Sequence, residues 1–133
     1  MLPAQLTRNE DERAVIEAIA KSGDDGPVLM LNLNRYKDGT GYPGEGIYLD
    51  YITGLETFLP AVGGKILWRH AVHGQAVGEQ KIDELLGAWY PSHQAFLDLS
   101  TAPGSERNFR LRGECVEYAV IHRCTGDQYP FCP

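Results

Sequence analysis

The chain has 133 residues, a length that suits one domain with a single hydrophobic core. Its contents of 43% hydrophobic and 23% charged residues are ordinary for a soluble globular protein. The 18 acidic and 12 basic residues give a net charge of −6, which argues against nucleic acid or an anionic membrane as a partner.

The sequence also lacks targeting and membrane-spanning signals. The first residues have no hydrophobic region of a secretory signal, and no apolar run approaches the roughly 20 residues that cross a bilayer. The cysteines Cys115, Cys124 and Cys132 are odd in number and lack metal-binding spacing, which favours reduced thiols, although a Cys124–Cys132 link is an open alternative. We therefore expect a cytoplasmic protein without a membrane partner.

A helix is predicted close to the N-terminus. Thr7 and Glu10 have the spacing of a capping box, in which each side chain satisfies a free amide at the helix start. Apolar residues then follow at helical spacing until Gly23, which ends the helix: Val15, Ile16 and Ile19. This helix is expected to be an addition to the domain, within residues 1–26.

The first strand is predicted over 27–35, in the sequence "VLMLNLN" and its neighbours. Alternate side chains of a strand point to opposite faces, so the leucines at 29, 31 and 33 share one face and the asparagines Asn32 and Asn34 share the other. We expect the leucine face to be dry. The asparagine face is expected to meet water, a ligand or a partner chain, because a buried amide without hydrogen bonds is expensive.

The middle of the chain predicts a loop and a second helix. The glycine-rich segment 37–46 cannot be regular structure and is expected to be a mobile loop at the mouth of a cleft. From Ile47 the apolar residues fall at steps of three and four, which predicts an amphipathic helix that Gly63 and Gly64 end.

The second half predicts three strands and more helix. A long strand is expected over 65–77, with a bulge or bend at Gly74, and a third strand over 83–90. Ser92 can cap a short helix, and Pro103 can open a further helical turn through Arg110. A fourth strand over 116–124 precedes a proline-rich tail.

This order, a helix followed by βαββαβ, predicts an α+β fold of the ferredoxin-like kind, an antiparallel four-stranded sheet with two helices on one face. We expect one domain, in which 1–26 is the helical extension, 27–124 the core and 125–133 the tail.

The sheet face without helices is predicted to be buried by a second subunit. Its residues mix large aromatic rings with asparagine and histidine, among them Trp68, Trp89, Asn32, His70 and His122. An exposed apolar face of that size is typical of an interface between subunits, so we expect a homodimer.

The stretches "MLNLNRYKDG", "GGKILWRHA" and "WYPSHQAFLDLST" resemble the domain-of-unknown-function 1330 family, from about Pro27 to Cys124. This resemblance implies membership of the dimeric α/β-barrel superfamily, in which the sheets of two subunits face each other around a cleft. The superfamily includes heme-degrading monooxygenases, muconolactone isomerase-like enzymes and proteins without known activity. Positions that recur in the family match Asn32, Trp68 or Arg69, and Arg110.

The candidate site residues are those whose side chains suit a small ligand. Trp68 and Trp89 can form flat walls, and Arg69 and Arg110 can bind a carboxylate. His70 and His122 can act as general bases near neutral pH. The remaining candidates are expected to contact ligand through an amide or hydroxyl group: Asn32, Asn34 and Tyr51.

Each candidate also has a structural interpretation. Asn32 can bond to neighbouring backbone, and Asn34 can begin a turn. The aromatic rings and histidines can pack in the dimer interface, and the arginines can form surface ion pairs. A metal site is not expected, because His70 and His73 point to opposite faces of a strand and cannot bind one ion together.

The predicted function is that of a homodimer that binds a small oxygenated or aromatic metabolite. If it is catalytic, we expect proton transfer or oxygenation without a cofactor, with His70 or His122 moving the proton and Asn32 holding an oxygen. One alternative is a ligand-binding or interaction module without catalysis. Another is a heme-degrading protein, because Asn32, Trp89 and His93 resemble a set of residues found in such enzymes.

Overall fold

The computed structural model describes residues 9–133. Its helices are α1 (Glu10–Lys21), α2 (Gly46–Phe58), α3 (His93–Asp98) and α4 (Ser105–Cys115), and its strands are β1 (Val28–Tyr36), β2 (Lys65–Ala71), β3 (Glu84–Tyr90) and β4 (Val116–Thr125). Short 3₁₀ turns follow α2 and α3, at Leu59–Val62 and Leu99–Thr101. None of the helices in this described part is long and apolar enough to cross a membrane.

The four strands form one antiparallel sheet in the order β2-β3-β1-β4. β1 pairs with β3 and β4, which are far from it in sequence. The helices that lie between these strands in the sequence pack on one face of the sheet. This is the predicted α+β fold of the ferredoxin-like kind, and the prediction is confirmed.

The start of α1 differs from the prediction. Its N-cap is Asn9, whose Oδ1 accepts a hydrogen bond of 3.1 Å from the backbone N–H of Glu12. Asparagine caps a helix as well as threonine does, so the helix begins after Asn9. Thr7, the predicted cap, lies outside the described residues.

Strand β2 is shorter than predicted and its bulge lies elsewhere. It ends at Ala71, which pairs with Glu84, the first residue of β3, and beyond this pair the N–H of Val72 donates to the carbonyl of Asp83 at 2.8 Å. The register shifts between Ile66 and Trp68, so the bulge is next to Leu67 and not at Gly74. Trp68 therefore lies on the opposite face from Ile66, although the sequence alternation had placed them together.

The two faces of β1 are the reverse of the prediction. The face that the helices cover carries Val28, Met30 and Tyr36, all members of the core, and the asparagines share it. Strand alternation determines which residues share a face, but it does not determine which face the helices cover. The leucines at 31 and 33 lie half-buried on the open face.

The C-terminal tail lies against the two tryptophans of the open face. The indole N–H of Trp89 donates to the carbonyl of Gly126 at 2.7 Å, and that of Trp68 donates to Pro130 at 3.3 Å. The ring of Phe131 lies 6.0 Å from that of Trp68 between centroids. The tail thus packs on part of the face and leaves its apolar centre uncovered.

Candidate functional site

A buried carboxylate, Glu84, is the centre of the candidate site. It is the first residue of β3 and only 5% exposed. Its two oxygens accept short hydrogen bonds from tyrosine hydroxyls, 2.6 Å from Tyr36 and 2.7 Å from Tyr48. A buried carboxylate needs such partners, because an isolated charge in the core is strongly unfavourable.

Three tyrosine rings surround this carboxylate. Tyr36 ends β1, Tyr42 lies in the glycine-rich loop and Tyr48 lies in the first turn of α2. Their ring centroids are 4.8 to 4.9 Å apart, within the usual range for aromatic pairs. Burial raises the pKa of each hydroxyl, and the negative charge of Glu84 raises it further, so the hydroxyls remain protonated donors.

Arg69 connects this cluster to the protein surface. Its Nη1 donates to the Tyr48 hydroxyl at 3.0 Å and lies 4.0 Å from a Glu84 oxygen. Its Nη2 is 3.6 Å from the carboxylate of Glu56, which is half-exposed. The same guanidinium lines an open depression of about 390 Å³ at the sheet edge, together with Glu56 and residues 65–68.

Asn34 lies beneath the tyrosines and is fully buried. Its Nδ2 donates to the Tyr36 hydroxyl at 3.3 Å. Its Oδ1 is buried without a hydrogen-bond partner among residues 9–133. A buried acceptor without a partner lowers stability, so this asparagine is not explained by packing alone.

The predicted site residues divide between the two faces of the sheet. Arg69 and Asn34 belong to the Glu84 cluster on the covered face. Asn32 shares that face, where its Nδ2 donates to the carbonyl of Met30 at 2.9 Å, the structural alternative given above. The expectation that Asn32 faces a cleft between two sheets is therefore wrong, because the helices cover its face.

The other predicted residues near the sheet lie on its open face. Trp68 pairs with Gly87 and His70 with Leu85, while His122 and Trp89 pair with leucines of β1. Both histidines are exposed. A cleft formed by this face and a second sheet can contain them, but it cannot contain Asn32 or Asn34.

Two further candidates lie on or beneath the helices. Tyr51 is 2% exposed, and burial raises the pKa of its hydroxyl, an effect that the positive charge of Arg112 partly offsets. Arg110 is exposed on α4, and the arginine of this helix whose charge acts on Tyr51 is Arg112. The geometry does not support the alternative of a heme-degrading protein, since Asn32 and Trp89 lie on opposite faces of the sheet.

Sequence reasoning missed the centre of the site. Glu84 and the three tyrosines around it were not candidates, although strand alternation places Glu84 on the same face as Leu86 and Ala88. An acidic residue that shares a strand face with two core residues is a signal of a buried, hydrogen-bonded carboxylate. No group of three potential metal ligands occurs in the part of the chain that the structure describes, and all three cysteines are unpaired.

Comparison with known proteins supports the fold and leaves the family open. No family model matches the chain, and no curated protein matches it. The crystal structure of RPA0582 from Rhodopseudomonas palustris, a protein of unknown function, is similar with a TM-score of 0.73 and 25% identity over 92% of this chain and 96% of that one. A structure of methylated RPA0582 gives a TM-score of 0.74 at 24% identity, covering 94% and 96% of the two chains.

A more distant similarity also supports the fold. The protein mll5499 from Mesorhizobium loti, described as a dabb family protein with a ferredoxin-like fold, gives a TM-score of 0.54 at 12% identity. The match covers 75% of this chain and 96% of that one. These similarities show the ferredoxin-like fold and assign no activity.

Proposed function

We propose that the protein is a homodimer that binds a small carboxylate-bearing metabolite in the depression next to Arg69. The observation that carries this proposal is the position of Arg69, which is 37% exposed at the depression and bonded to the buried Tyr48 on its inner side. A guanidinium fixed at one end and open at the other is well suited to bind a carboxylate.

The charges around the depression favour an anion. Lys65 and Arg69 line it, and Glu56 is the single acidic residue that does so. Because Glu56 is half-exposed, a ligand carboxylate can replace it at the guanidinium without burying a new charge. Trp68 and Ile66 add apolar surface, which suits an aromatic or aliphatic body on the ligand.

The open face of the sheet supports the proposed homodimer. Its centre is apolar and only half-buried, with Leu31, Leu33, Leu85 and Val120 side by side on neighbouring strands. Pairing of two such faces would remove this surface from water and enclose His70 and His122. The resemblance to the domain-of-unknown-function 1330 family implies the same arrangement. His70 and His122 do not line the depression at Arg69, so their role as proton carriers concerns a ligand in the cleft between the two sheets and is a separate part of this proposal.

Proton transfer is the second candidate function, and one observation favours it. The guanidinium of Arg69, the hydroxyl of Tyr48 and the carboxylate of Glu84 form a continuous hydrogen-bonded chain from the depression to the core. Arginine keeps its proton in a protein, so the part of this chain that can exchange a proton without a cofactor is the hydroxyl of Tyr48 with the carboxylate of Glu84, and the guanidinium holds that hydroxyl in place. Tyr48→Phe interrupts this chain, so we expect any turnover of the bound ligand to stop, while ligand binding weakens less than in Arg69→Gln because the guanidinium keeps its charge and lies 4.0 Å from Glu84.

Native mass spectrometry of the purified protein tests ligand binding. We expect a bound organic acid in the wild type and in Arg35→Gln, a control in which the exposed pair with Glu117 is lost. Arg69→Gln is expected to lose it. If no ligand is retained on purification, titration with benzoate, using neutral benzamide as the control, replaces this comparison. Equal binding by Arg69→Gln in either format contradicts the proposal.

Light scattering after gel filtration tests the dimer. We expect twice the chain mass of 14.8 kDa at micromolar concentration. Leu31→Glu places a charge at the centre of the open face and is expected to give a folded monomer, whereas Leu49→Glu, an exposed leucine of α2, keeps the dimer. A wild-type monomer under these conditions overturns the dimer.

A further inference from the structure

A second polar site lies at the other side of the molecule, where α1, α3 and the end of β4 meet. It contains an open cavity of about 360 Å³ that shares no residue with the depression at Arg69. The residues that line it include one buried histidine, His93, and several charged or polar side chains around the opening, namely Asp24, Arg123, Thr125 and Asp127.

Asp25 holds the imidazole of His93 in one orientation. The carboxylate accepts from Nδ1 of the ring at 2.9 Å and from the backbone N–H groups of His93 and Gln94 at 2.7 and 3.0 Å. Burial by itself would raise the pKa of Asp25, but the backbone hydrogen bonds and the contact with the His93 ring together outweigh it, so the pKa is lowered and the carboxylate stays ionised. The proton of a neutral ring is therefore on Nδ1, and Nε2 presents a lone pair.

This lone pair has no partner in the described chain. His93 is 8% exposed, and its Nε2 is buried without a hydrogen bond among residues 9–133. A buried acceptor is satisfied when a donor reaches it, and either a water molecule or a ligand with an N–H or O–H group can supply that donor from the cavity that His93 lines.

The charges around the opening indicate a cation. Asp24 and Asp127 are exposed carboxylates of the lining, and Asp25 adds a third negative charge behind the ring. The single cation of the lining, Arg123, is already paired with Glu12 of α1. A ligand with a positive charge and an N–H donor satisfies both the lone pair and this field.

We propose that this cavity is a binding site for a small primary amine, whose ammonium group donates a hydrogen bond to Nε2 of His93. Asp24 and Asp127 supply the counter-charge at the opening, and Asp25 fixes the ring in the orientation and tautomer that accept the donor. The site is independent of the carboxylate site at Arg69, and the two proposals succeed or fail separately.

An NMR titration of the His93 ring tests the proposal in the full-length protein, under conditions in which the nitrogen chemical shifts of the ring show the neutral tautomer with its proton on Nδ1. The two probes are ethylammonium chloride and tetramethylammonium chloride, which have the same charge but differ in N–H groups. We expect ethylammonium to shift the His93 ring resonances with saturation and tetramethylammonium to leave them unchanged. Equal shifts with both salts, or no saturable shift with ethylammonium, overturn the proposal.

Variants distinguish the effect of the hydrogen bond to His93 from the effect of the negative surface charge on ethylammonium binding. His93→Phe removes the acceptor and is expected to weaken ethylammonium binding by about tenfold or more, as for a lost hydrogen bond to a charged group. Asp127→Asn is expected to weaken it, while Glu114→Gln removes an equal charge from α4, which does not line the cavity, and leaves it unchanged. If His93→Phe does not fold, the two-salt comparison in the wild type decides alone.

Discussion

At the scale of single residues, the carboxylate of Glu84 depends on the hydroxyls that bond to it. Tyr36→Phe removes the 2.6 Å hydrogen bond and leaves one oxygen without that donor. We expect the free energy of unfolding in urea to fall by about 2 kcal/mol, the usual effect of losing a bond to a charged group. Tyr129→Phe is the matched control, because Tyr129 is 91% exposed and should have no measurable effect. A Tyr36→Phe variant as stable as the wild type contradicts the proposed role of this hydrogen bond.

Replacement of Asn34 is expected to change the free energy of unfolding in the opposite direction. Replacement by leucine loses the hydrogen bond to Tyr36, worth about 1 kcal/mol, but it also removes a buried oxygen that has no partner in the described chain. We expect the free energy of unfolding to stay equal or to rise, because relief of such an atom is worth about 1–3 kcal/mol. Urea denaturation measures this, and a loss above about 2 kcal/mol would show that Oδ1 has a partner, such as a bound water.

At the scale of elements, the packing of β2 against β3 depends on a glycine. A Cβ on Gly87 would lie 2.8 Å from the indole ring of Trp68, closer than real contacts allow. Gly87→Ala is therefore expected to displace the indole, with a lower melting temperature and a changed near-ultraviolet circular dichroism spectrum. Preservation of both properties would contradict the position of Trp68 over Gly87.

Gly113→Ala is the matched control for that experiment. Gly113 lies in α4, and a Cβ there would meet no atom within 4 Å. Alanine stabilises a helix interior relative to glycine by about 0.5–1 kcal/mol, so the same substitution is expected to raise the melting temperature at this position. The two variants together separate a steric effect from the general effect of adding a methyl group.

At the scale of the whole molecule, the tyrosines determine how stability depends on alkaline pH. Five of the seven tyrosines have a raised pKa in the folded protein, with burial the main cause: Tyr36, Tyr42, Tyr48, Tyr51 and Tyr90. A folded-state pKa above the unfolded value gives stability that is fully present below the unfolded value of 10.0 and is lost as the pH rises above it.

We therefore expect the free energy of unfolding to fall above about pH 10, by up to about 1.4 kcal/mol per pH unit for each of these tyrosines. The phenolate absorbance of the five should appear together with unfolding, monitored by far-ultraviolet circular dichroism. Gradual ionisation in a protein that keeps its fold would contradict the burial of these hydroxyls.

The sequence alone determined the order and kind of the elements, because this information is local. Apolar spacing and turn residues indicated the strands and helices, and their order indicated a ferredoxin-like fold. Alternation along β1 also correctly separated the leucines from the asparagines. The alternation along β3 also carried a signal for Glu84, which lies on the same face of that strand as its core residues.

Only the tertiary structure decided which face of the sheet the helices cover and what meets there. The asparagine face is the covered one, and the bulge beside Leu67 moves Trp68 to the opposite face from Ile66. Glu84 meets tyrosines from β1 and α2 that are 48 and 36 residues away in sequence. A local sequence pattern cannot predict contacts between residues that are so far apart in the sequence. The free energy of these contacts arises only when the elements pack together.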